Sequence, residues 1–368
     1  HVTERARQVV NDGMDVIGGK GICLGPSNFM GRAYQQVPIG ITVEGANILT
    51  RSLIIFGQGA IRCHPYLLPE MQAAQNPDHK QGLVDFDKAL FGHIGFTIKN
   101  GLRALWLGMT GSHFATVNVD TAPEMRRYYQ QLTRFSAAFA FMADISLLVL
   151  GGSVKRREKL SARLGDILAQ MYLISCTLKR YEEEGRKAAD APLAHWAIWD
   201  AMYKAQQAFD GVIANFPVRF IAAFLHRSIF PWGHPYVVPS DEVGHEVAKA
   251  LISPSATRDR LTAECYVPLL ESDPVGAIEL ALQATLLAEP IEAKIRAAEK
   301  DGQFDNNPLA NVRDIAIVAF EAGVITAAEF EIMKRRNHLR DIVVQVDDFP
   351  FDFGVATANK PAECRMAA

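Results

Sequence analysis

The chain of 368 residues is poor in cysteine and has no long apolar run, and both shortages restrict what it can be. Its five cysteines are far apart and form no C-x-x-C pair, which argues against a zinc site or a disulfide framework and fits a reducing compartment. The longest apolar stretch, residues 135–150, is shorter than the roughly 20 residues that a membrane span needs, and it contains Asp144. We therefore predict a buried helix there and no transmembrane segment.

An excess of charge of either sign is also absent. There are 38 Lys and Arg residues and 41 Asp and Glu residues, so the formal net charge is −3, and 49% of the residues are hydrophobic. This composition is that of a globular protein and gives no support to a nucleic-acid partner. No G-x-S-x-G motif indicates a hydrolase, and the GGKG run at 18–21 follows a predicted helix, so it fits neither a P-loop nor a dinucleotide fingerprint.

The histidines lack the spacing of a metal site. No H-E-x-x-H motif occurs among the ten histidines, and His226, His234 and His245 are eight and eleven positions apart. We interpret His64 and His93 as turn or core residues and predict no metal ion.

One carboxylate is unusual because it interrupts an apolar run. Glu44 precedes Gly45 and a predicted helix from residue 46 to about 61, and its neighbours are aliphatic: Ile41, Val43, Ile48 and Leu49. Such neighbours would desolvate Glu44 and raise its pKa toward that of a general base, while the helix start would favour a polarised oxygen beside it. The same spacing fits a glutamate that only begins a helix, where its charge meets the positive end of the helix dipole.

Two motifs in this order resemble the acyl-CoA dehydrogenase family. They are GGKGICLGPSNF at residues 18–29 and ITVEGANILTR at residues 41–51, with Arg32 and Tyr34 between them. This general resemblance covers about the first fifth of the chain. Similarity to the bacterial long-chain, FadE-type members extends through AGVITAAEFEIMKRRNHLRDIVVQVDDFP at residues 322–350.

The resemblance implies an all-α fold, in which the helical bundle that ends an acyl-CoA dehydrogenase is followed by a long α-helical C-terminal extension. It places the end of the dehydrogenase domain at residues 1–80 and the extension at 81–368, with a possible further boundary near residue 239. The chain begins at His1 within a predicted helix and has no leader sequence, so we expect a piece of a longer protein that lacks the main flavin domain.

The resemblance also implies an activity and a site. Glu44 would be the catalytic base in the α,β-dehydrogenation of a medium- or long-chain acyl-CoA to the trans-2-enoyl-CoA, and Glu44 and Gly45 would bind the substrate thioester. FAD would contact four residues: Gly18, Gly19, Ala46 and Asn47. Asp15 and Ala46 depart from the family pattern, which often has Gln and Thr at these positions, so flavin contacts at these two positions would come from the backbone.

The implied partners are acyl-CoA and an electron-transfer flavoprotein or similar acceptor, in a homodimer or larger assembly. The implied location is the bacterial cytoplasm, with peripheral contact at the inner face of the cell membrane. Two alternatives remain open. The chain could be a non-catalytic helical scaffold or membrane-docking module, or it could belong to an acyl-CoA oxidase that passes its electrons to oxygen.

Helix periodicity and capping patterns predict further elements. Six apolar residues define one face of a helix after residue 157: Leu160, Leu164, Ile167, Met171, Ile174 and Leu178. Capping boxes are expected at Thr121 and Thr326, helix starts at Asp273-Pro274 and Glu289-Pro290, and a strand-like extended tail at residues 342–351. The aromatic and basic stretch 217–239 could pack in the core or lie on a membrane surface.

Overall fold

The computed structural model describes residues 1–43, 45–304 and 314–351. Over these residues the regular elements are all helical and no strand occurs, which confirms the all-α prediction. The chain forms two compact units, one of residues 1–41 with 264–368 and one of residues 42–263. The boundaries between these units lie neither at residue 80 nor near residue 239. The predicted boundaries separate the end of the dehydrogenase domain from an extension by family resemblance, and they stay a prediction.

In chain order the α-helices are α1 (Val2–Ile17), α2 (Gly31–Gln36), α3 (Ile39–Thr42), α4 (Asn47–Leu49), α5 (Gly59–Cys63), α6 (Leu67–Ala74), α7 (His79–Met109), α8 (Arg126–Leu150), α9 (Glu158–Glu183), α10 (Ala191–Ala214), α11 (Arg219–Ile229), α12 (Asp241–Ile252), α13 (Ala256–Thr262), α14 (Pro274–Lys300), α15 (Ile315–Glu321) and α16 (Ala327–Val344). A π-helical segment, Thr50–Gln58, joins α4 to α5. Short 3₁₀ turns occupy Gly18–Gly21, Pro123–Met125, Gly151–Arg156 and Ala188–Asp190.

The core of the unit at 42–263 is built by long helices. Helix α7 packs on α8, α9 packs on α8, and α9 also packs along α10. Fully buried side chains at their contacts include Phe135, Met142, Leu164, Ile174 and Phe209. The predicted apolar face of α9 is confirmed, because all six of its residues are buried in this core.

Helix α8 is the buried helix predicted at residues 135–150. Phe135, Phe141 and Met142 lie in the core. By length and composition alone, Pro123–Arg156 is also long and apolar enough to cross a membrane. A second stretch, Gly31–Cys63, is also long and apolar enough, but the turn around Gly45 interrupts its helices. The core helix of a protein can be as long and apolar as a membrane span, and the burial of α8 favours the role of a core helix.

The first unit, of residues 1–41 with 264–368, has a smaller core, formed by α14, α15 and α16 around Ala288, Ile291, Ile295 and Met333. Two predicted caps are confirmed here. The Asp273 carboxylate accepts the amide hydrogens of Val275 and Gly276 at the start of α14. Thr326 and Glu329 form a reciprocal capping box at the start of α16.

Three local predictions were wrong. Pro290 lies inside α14 rather than at a helix start, since Ala288 and Ile291 on either side of it belong to the same core and hold the helix continuous across one lost hydrogen bond. The strand-like run begins as helix, because residues 342–344 form the last turn of α16 and only the following residues are non-helical. Thr121 forms no capping box; its hydroxyl bonds the Glu182 carboxylate, which also accepts the Ala122 amide at 3.1 Å.

The stretch 217–239 divides between the two alternatives. Leu225, Ile229 and Phe230 are buried in the core. On the outer side of α11, by contrast, Phe220 is 76% exposed, and Trp232 beyond the helix is 74% exposed. Core packing therefore accounts for one face of α11 and leaves an aromatic face open to solvent.

Candidate functional site

The turn after Glu44 has the backbone that the sequence suggested. Glu44 itself lies outside the described residues, but Gly45 has φ +95°, a left-handed conformation that favours glycine. Ala46 is the N-cap residue, and the helix begins at Asn47, with the Thr50 amide donating to the Ala46 carbonyl at 3.0 Å. A glycine turn therefore leads directly into a helix N-terminus at the predicted catalytic segment.

This turn is more open than expected. Val43 is 51% exposed, Ile48 74% and Leu49 47%, so these side chains do not desolvate the turn as predicted. Ile48 and Leu49 face outward because the opposite side of their helical stretch packs on the core through the buried Phe56. The described residues on either side of position 44 therefore leave this turn open to solvent.

The π-helical segment that follows is held on α9 by a paired contact. Arg51 Nε lies 2.7 Å from Asp166 Oδ1, and its terminal nitrogen lies 2.5 Å from Asp166 Oδ2, which makes a bidentate ion pair. Next to this pair, a Cβ on Gly165 would lie only 3.2 Å from the Arg51 carbonyl oxygen. Glycine at 165 thus lets the two backbones approach, and the pair fixes the helix that leaves the Glu44 turn.

The first glycine motif forms an exposed turn at the end of α1. Gly18 has φ +57° and its amide donates to the Met14 carbonyl, so it caps the C-terminal end of α1. A Cβ added at Gly18 or Gly19 would meet no described atom within 4 Å. The backbone of both glycines is therefore accessible to a flat ligand group.

Asn28, which the sequence analysis did not single out, holds the loop after this turn. Its buried side-chain amide donates to the carbonyls of Gly21 and Cys23 and accepts the amides of Met30 and Gly31. All of its hydrogen-bonding groups are thereby used, which gives Asn28 a structural role in presenting the glycine turn. Its position two residues before Met30 in a Pro-Ser-Asn turn was the only signal available in the sequence.

The predicted flavin contacts fall in the two different units. Gly18 and Gly19 belong to the first unit, and Ala46 and Asn47 belong to the second. Gly18 with Gly19 and Ala46 with Asn47 are therefore two separate parts of the predicted site.

A partly buried cluster of histidines and carboxylates was missed by the sequence analysis. His64 Nε2 lies 2.9 Å from Asp144 Oδ1, and His93 Nδ1 lies 2.8 Å from Glu70 Oε1. The Thr97 hydroxyl lies 2.8 Å from Asp144 Oδ2. These residues come from the end of α5 and from α6, α7 and α8, so the cluster joins four successive helical elements.

The ligand atoms of His64, His93 and Asp144 lie within 4.8 Å of one another, as in a metal site. The second nitrogen of His64 opposes that function. His64 Nδ1 accepts the amide hydrogens of Tyr66 and Leu67 at 3.2 Å each, so the ring proton of the neutral side chain sits on Nε2. Because Nε2 would be the metal-binding atom, this tautomer favours a hydrogen-bonded cluster in which His64 caps α6.

Another buried polar contact joins α8 to α10. The Tyr128 hydroxyl and His195 Nδ1 are hydrogen-bonded at 2.8 Å. Burial lowers the pKa of His195, against the smaller opposite effect of the Glu124 and Glu246 carboxylates, and burial raises the pKa of Tyr128 to about 12. Both groups are thus held neutral at physiological pH.

Comparison with known proteins shows which family this chain is similar to. The family described as "Acyl-CoA dehydrogenase, C-terminal, bacterial type" matches residues 61–349, more than three quarters of the chain. No solved structure matches the chain. The matched range begins after both glycine motifs, so the roles of Gly18, Gly19, Glu44, Gly45, Ala46 and Asn47 rest on the resemblance of their motifs.

Proposed function

Because this chain belongs to the acyl-CoA dehydrogenase family, we propose that it is the C-terminal part of a FAD-dependent enzyme of fatty-acid β-oxidation. Its substrates would be medium- or long-chain acyl-CoA thioesters, and its product the trans-2-enoyl-CoA. The observation that carries the proposal is the turn at Gly45, with φ +95°, which leads into a helix N-terminus immediately after the only carboxylate with a chemical role in the motif.

In the proposed reaction the Glu44 carboxylate removes the α-proton of the thioester. The amide N–H of Glu44 donates to the thioester oxygen, where negative charge develops as the proton leaves. The positive end of the helix that begins at Asn47 stabilises the same charge. Since Ile48 and Leu49 are exposed, an acyl chain laid on them would expel water from the turn and favour proton transfer.

FAD, when bound, supplies the acceptor for the β-hydrogen, which leaves as hydride. Each of the two groups of predicted flavin contacts in this chain would make only a few backbone contacts to the cofactor. Gly18 and Gly19 would hold it through their exposed backbone, as would Ala46 and Asn47 at the start of the helix. We therefore expect the bulk of the flavin contacts to lie in another part of the full-length protein, and the isolated chain to be inactive.

The partners follow from the same proposal. Acyl-CoA is the substrate, an electron-transfer flavoprotein or a similar protein takes the electrons, and the enzyme acts as a homodimer or larger assembly. Anaerobic mixing of the full-length protein with palmitoyl-CoA should bleach the flavin absorbance and yield the 2-enoyl-CoA by mass spectrometry. Fast reoxidation by oxygen would instead favour an oxidase, and no bleaching would contradict the proposal.

We propose that the protein lies in the bacterial cytoplasm and contacts the membrane peripherally, and one surface supports this location. Phe220 and Phe224 are exposed on α11 together with Arg219, and the exposed Trp232 donates its Nε1 hydrogen to the carbonyl of Met109 at 3.0 Å. Aromatic side chains beside a basic one are typical of segments that lie at a lipid interface. We therefore assign the membrane contact to this face of α11.

A further inference from the structure

A cavity of about 420 Å³ lies within the unit at 42–263, between α9, α10, α12 and α13. Its walls are mainly apolar, through Tyr181, Leu193, Trp196, Ala197, Val247 and Leu261. Its volume is in the range of sites for small molecules, which are concave, mostly apolar and lined by a few convergent polar groups. Apolar walls bind water poorly, so an apolar ligand would gain most by entering.

This cavity is separate from the proposed catalytic turn. The helix after Glu44 is anchored at Asp166, whereas the first residue of α9 at the cavity is Cys176. Ten residues of α-helix span about 15 Å, so the cavity lies well along α9 from that anchor. It therefore cannot be the pocket in which Glu44 would act.

The mouth of the cavity has hydrogen-bond donors to spare. Arg180 Nε donates to Glu184 Oε1 at 2.8 Å, and one terminal nitrogen of Arg260 lies 2.5 Å from both carboxylate oxygens of Asp190. The Thr257 hydroxyl also donates to Asp190, so both acids at the mouth are already engaged.

A guanidinium offers five N–H donors, and these contacts use only part of them. Among the described residues, no acceptor lies within hydrogen-bond reach of Arg260 Nε, whereas the side chain of Arg180 is about half exposed. A ligand at the mouth would therefore be recognised as a hydrogen-bond acceptor, and a planar carboxylate matches the fork of an arginine.

We propose that this cavity binds a monocarboxylate with a single apolar chain, with the chain inside and the carboxylate at the mouth against Arg180. The proposal requires no turnover and no flavin. It is independent of the role of Glu44.

Cys176 gives a direct test, because its exposed thiol lines the cavity while Cys63 and Cys265 are exposed elsewhere. Sodium decanoate below its micelle concentration is the probe, and the rate of iodoacetamide labelling of each cysteine in the full chain is followed by peptide mass. At ten times its dissociation constant, decanoate should slow Cys176 labelling about tenfold and leave Cys63 and Cys265 unchanged. Labelling of Cys176 that decanoate does not slow would overturn the proposal.

Two variants test separately how the apolar chain of the ligand and its carboxylate are bound. Ala197→Phe fills the cavity and should weaken decanoate binding at least about tenfold, in proportion to the lost apolar contact. Arg180→Gln changes a largely exposed side chain, so it should keep the fold, weaken decanoate binding severalfold and leave 1-decanol binding unaltered. Equal binding of decanoate and decanol, unaffected by Arg180→Gln, would refute the carboxylate assignment, and full protection in Ala197→Phe would refute the cavity itself.

Discussion

His64 Nε2 donates to Asp144 Oδ1 at 2.9 Å, across 80 positions of sequence, while His64 Nδ1 caps the start of α6. Both nitrogens of one ring are therefore committed, one as donor and one as acceptor. The side chain of Asp144 is only 2% exposed, and its other oxygen accepts from Thr97. Each oxygen of this carboxylate, which lies in the core helix α8, thus accepts a hydrogen bond.

Asparagine at 144 should preserve this cluster, and alanine should not. In Asp144→Asn the amide oxygen can still accept from His64, and the amide nitrogen can donate to Thr97, whose own hydrogen turns to the His93 carbonyl 3.0 Å away. We expect a loss of about 1 kcal/mol in the free energy of unfolding for Asp144→Asn and about 3 kcal/mol for Asp144→Ala. Urea unfolding checks both values.

The same pair of variants distinguishes the hydrogen-bonded cluster from a metal site. Zinc should leave the unfolding midpoint of the unaltered protein unchanged, because the His64 tautomer opposes metal binding at Nε2. A midpoint that rises with zinc, and that no longer rises in Asp144→Asn, would mean that the cluster binds metal.

The ion pair between Arg51 and Asp166 should affect activity more than stability. The pair is partly exposed, so Asp166→Ala should cost only about 0.5 kcal/mol of unfolding free energy. We expect kcat of the full-length enzyme to fall severalfold, because the helix that leaves the Glu44 turn loses its anchor. Glu183→Ala is the matched control: it removes an exposed pair with Lys179 on the same helix, and equal effects of both variants would contradict this role.

His195 should make the protein less stable in acid. Burial lowers the pKa of this group below its ordinary 6.5, so below that pH the unfolded chain binds a proton that the folded chain refuses. The free energy of unfolding should therefore fall as the pH drops from 6.5 through the lowered pKa. His195→Asn keeps an acceptor for Tyr128 but does not titrate, so its stability should fall less than that of the unaltered protein between pH 7 and 5. Parallel curves for the two proteins would show that His195 makes no contribution.

Contact with a membrane should depend on the exposed face of α11. Phe220→Ser removes an outward aromatic ring and should reduce co-sedimentation of the protein with anionic vesicles severalfold. Leu287 on α14, which is also apolar and 65% exposed, provides the control: Leu287→Ser should bind as the unaltered protein does. If both variants bind alike, the membrane contact lies elsewhere or is absent.

Local patterns in the sequence predicted much of the fold. The apolar face of α9 and the caps at Asp273 and Thr326 depend on residues within a few positions of one another, and all were confirmed. Predictions failed where a distant residue decided the outcome. Glu182, about 60 positions away, takes the Thr121 hydroxyl, and the core around Ile291 carries α14 across Pro290.

The candidate site was predicted only in part for the same reason. Gly18 and Gly45 adopt positive φ values, which glycine accommodates readily, and both lie in motifs that the sequence analysis identified. The cluster of His64, His93 and Asp144 could not be found, because its members are brought together only by the packing of α7 and α8. The exposure of Ile48 likewise depends on which face of its helix meets the core.

The most direct test of the account is the turnover of palmitoyl-CoA with an artificial electron acceptor by the full-length protein and by its Glu44→Gln variant. Glu289→Gln, an exposed glutamate on α14, is the control. We predict that Glu44→Gln keeps its FAD and loses about three decades of rate, while the control retains full rate. Unchanged turnover in Glu44→Gln would contradict the assignment of Glu44 as the base and favour a non-catalytic role for this helical chain.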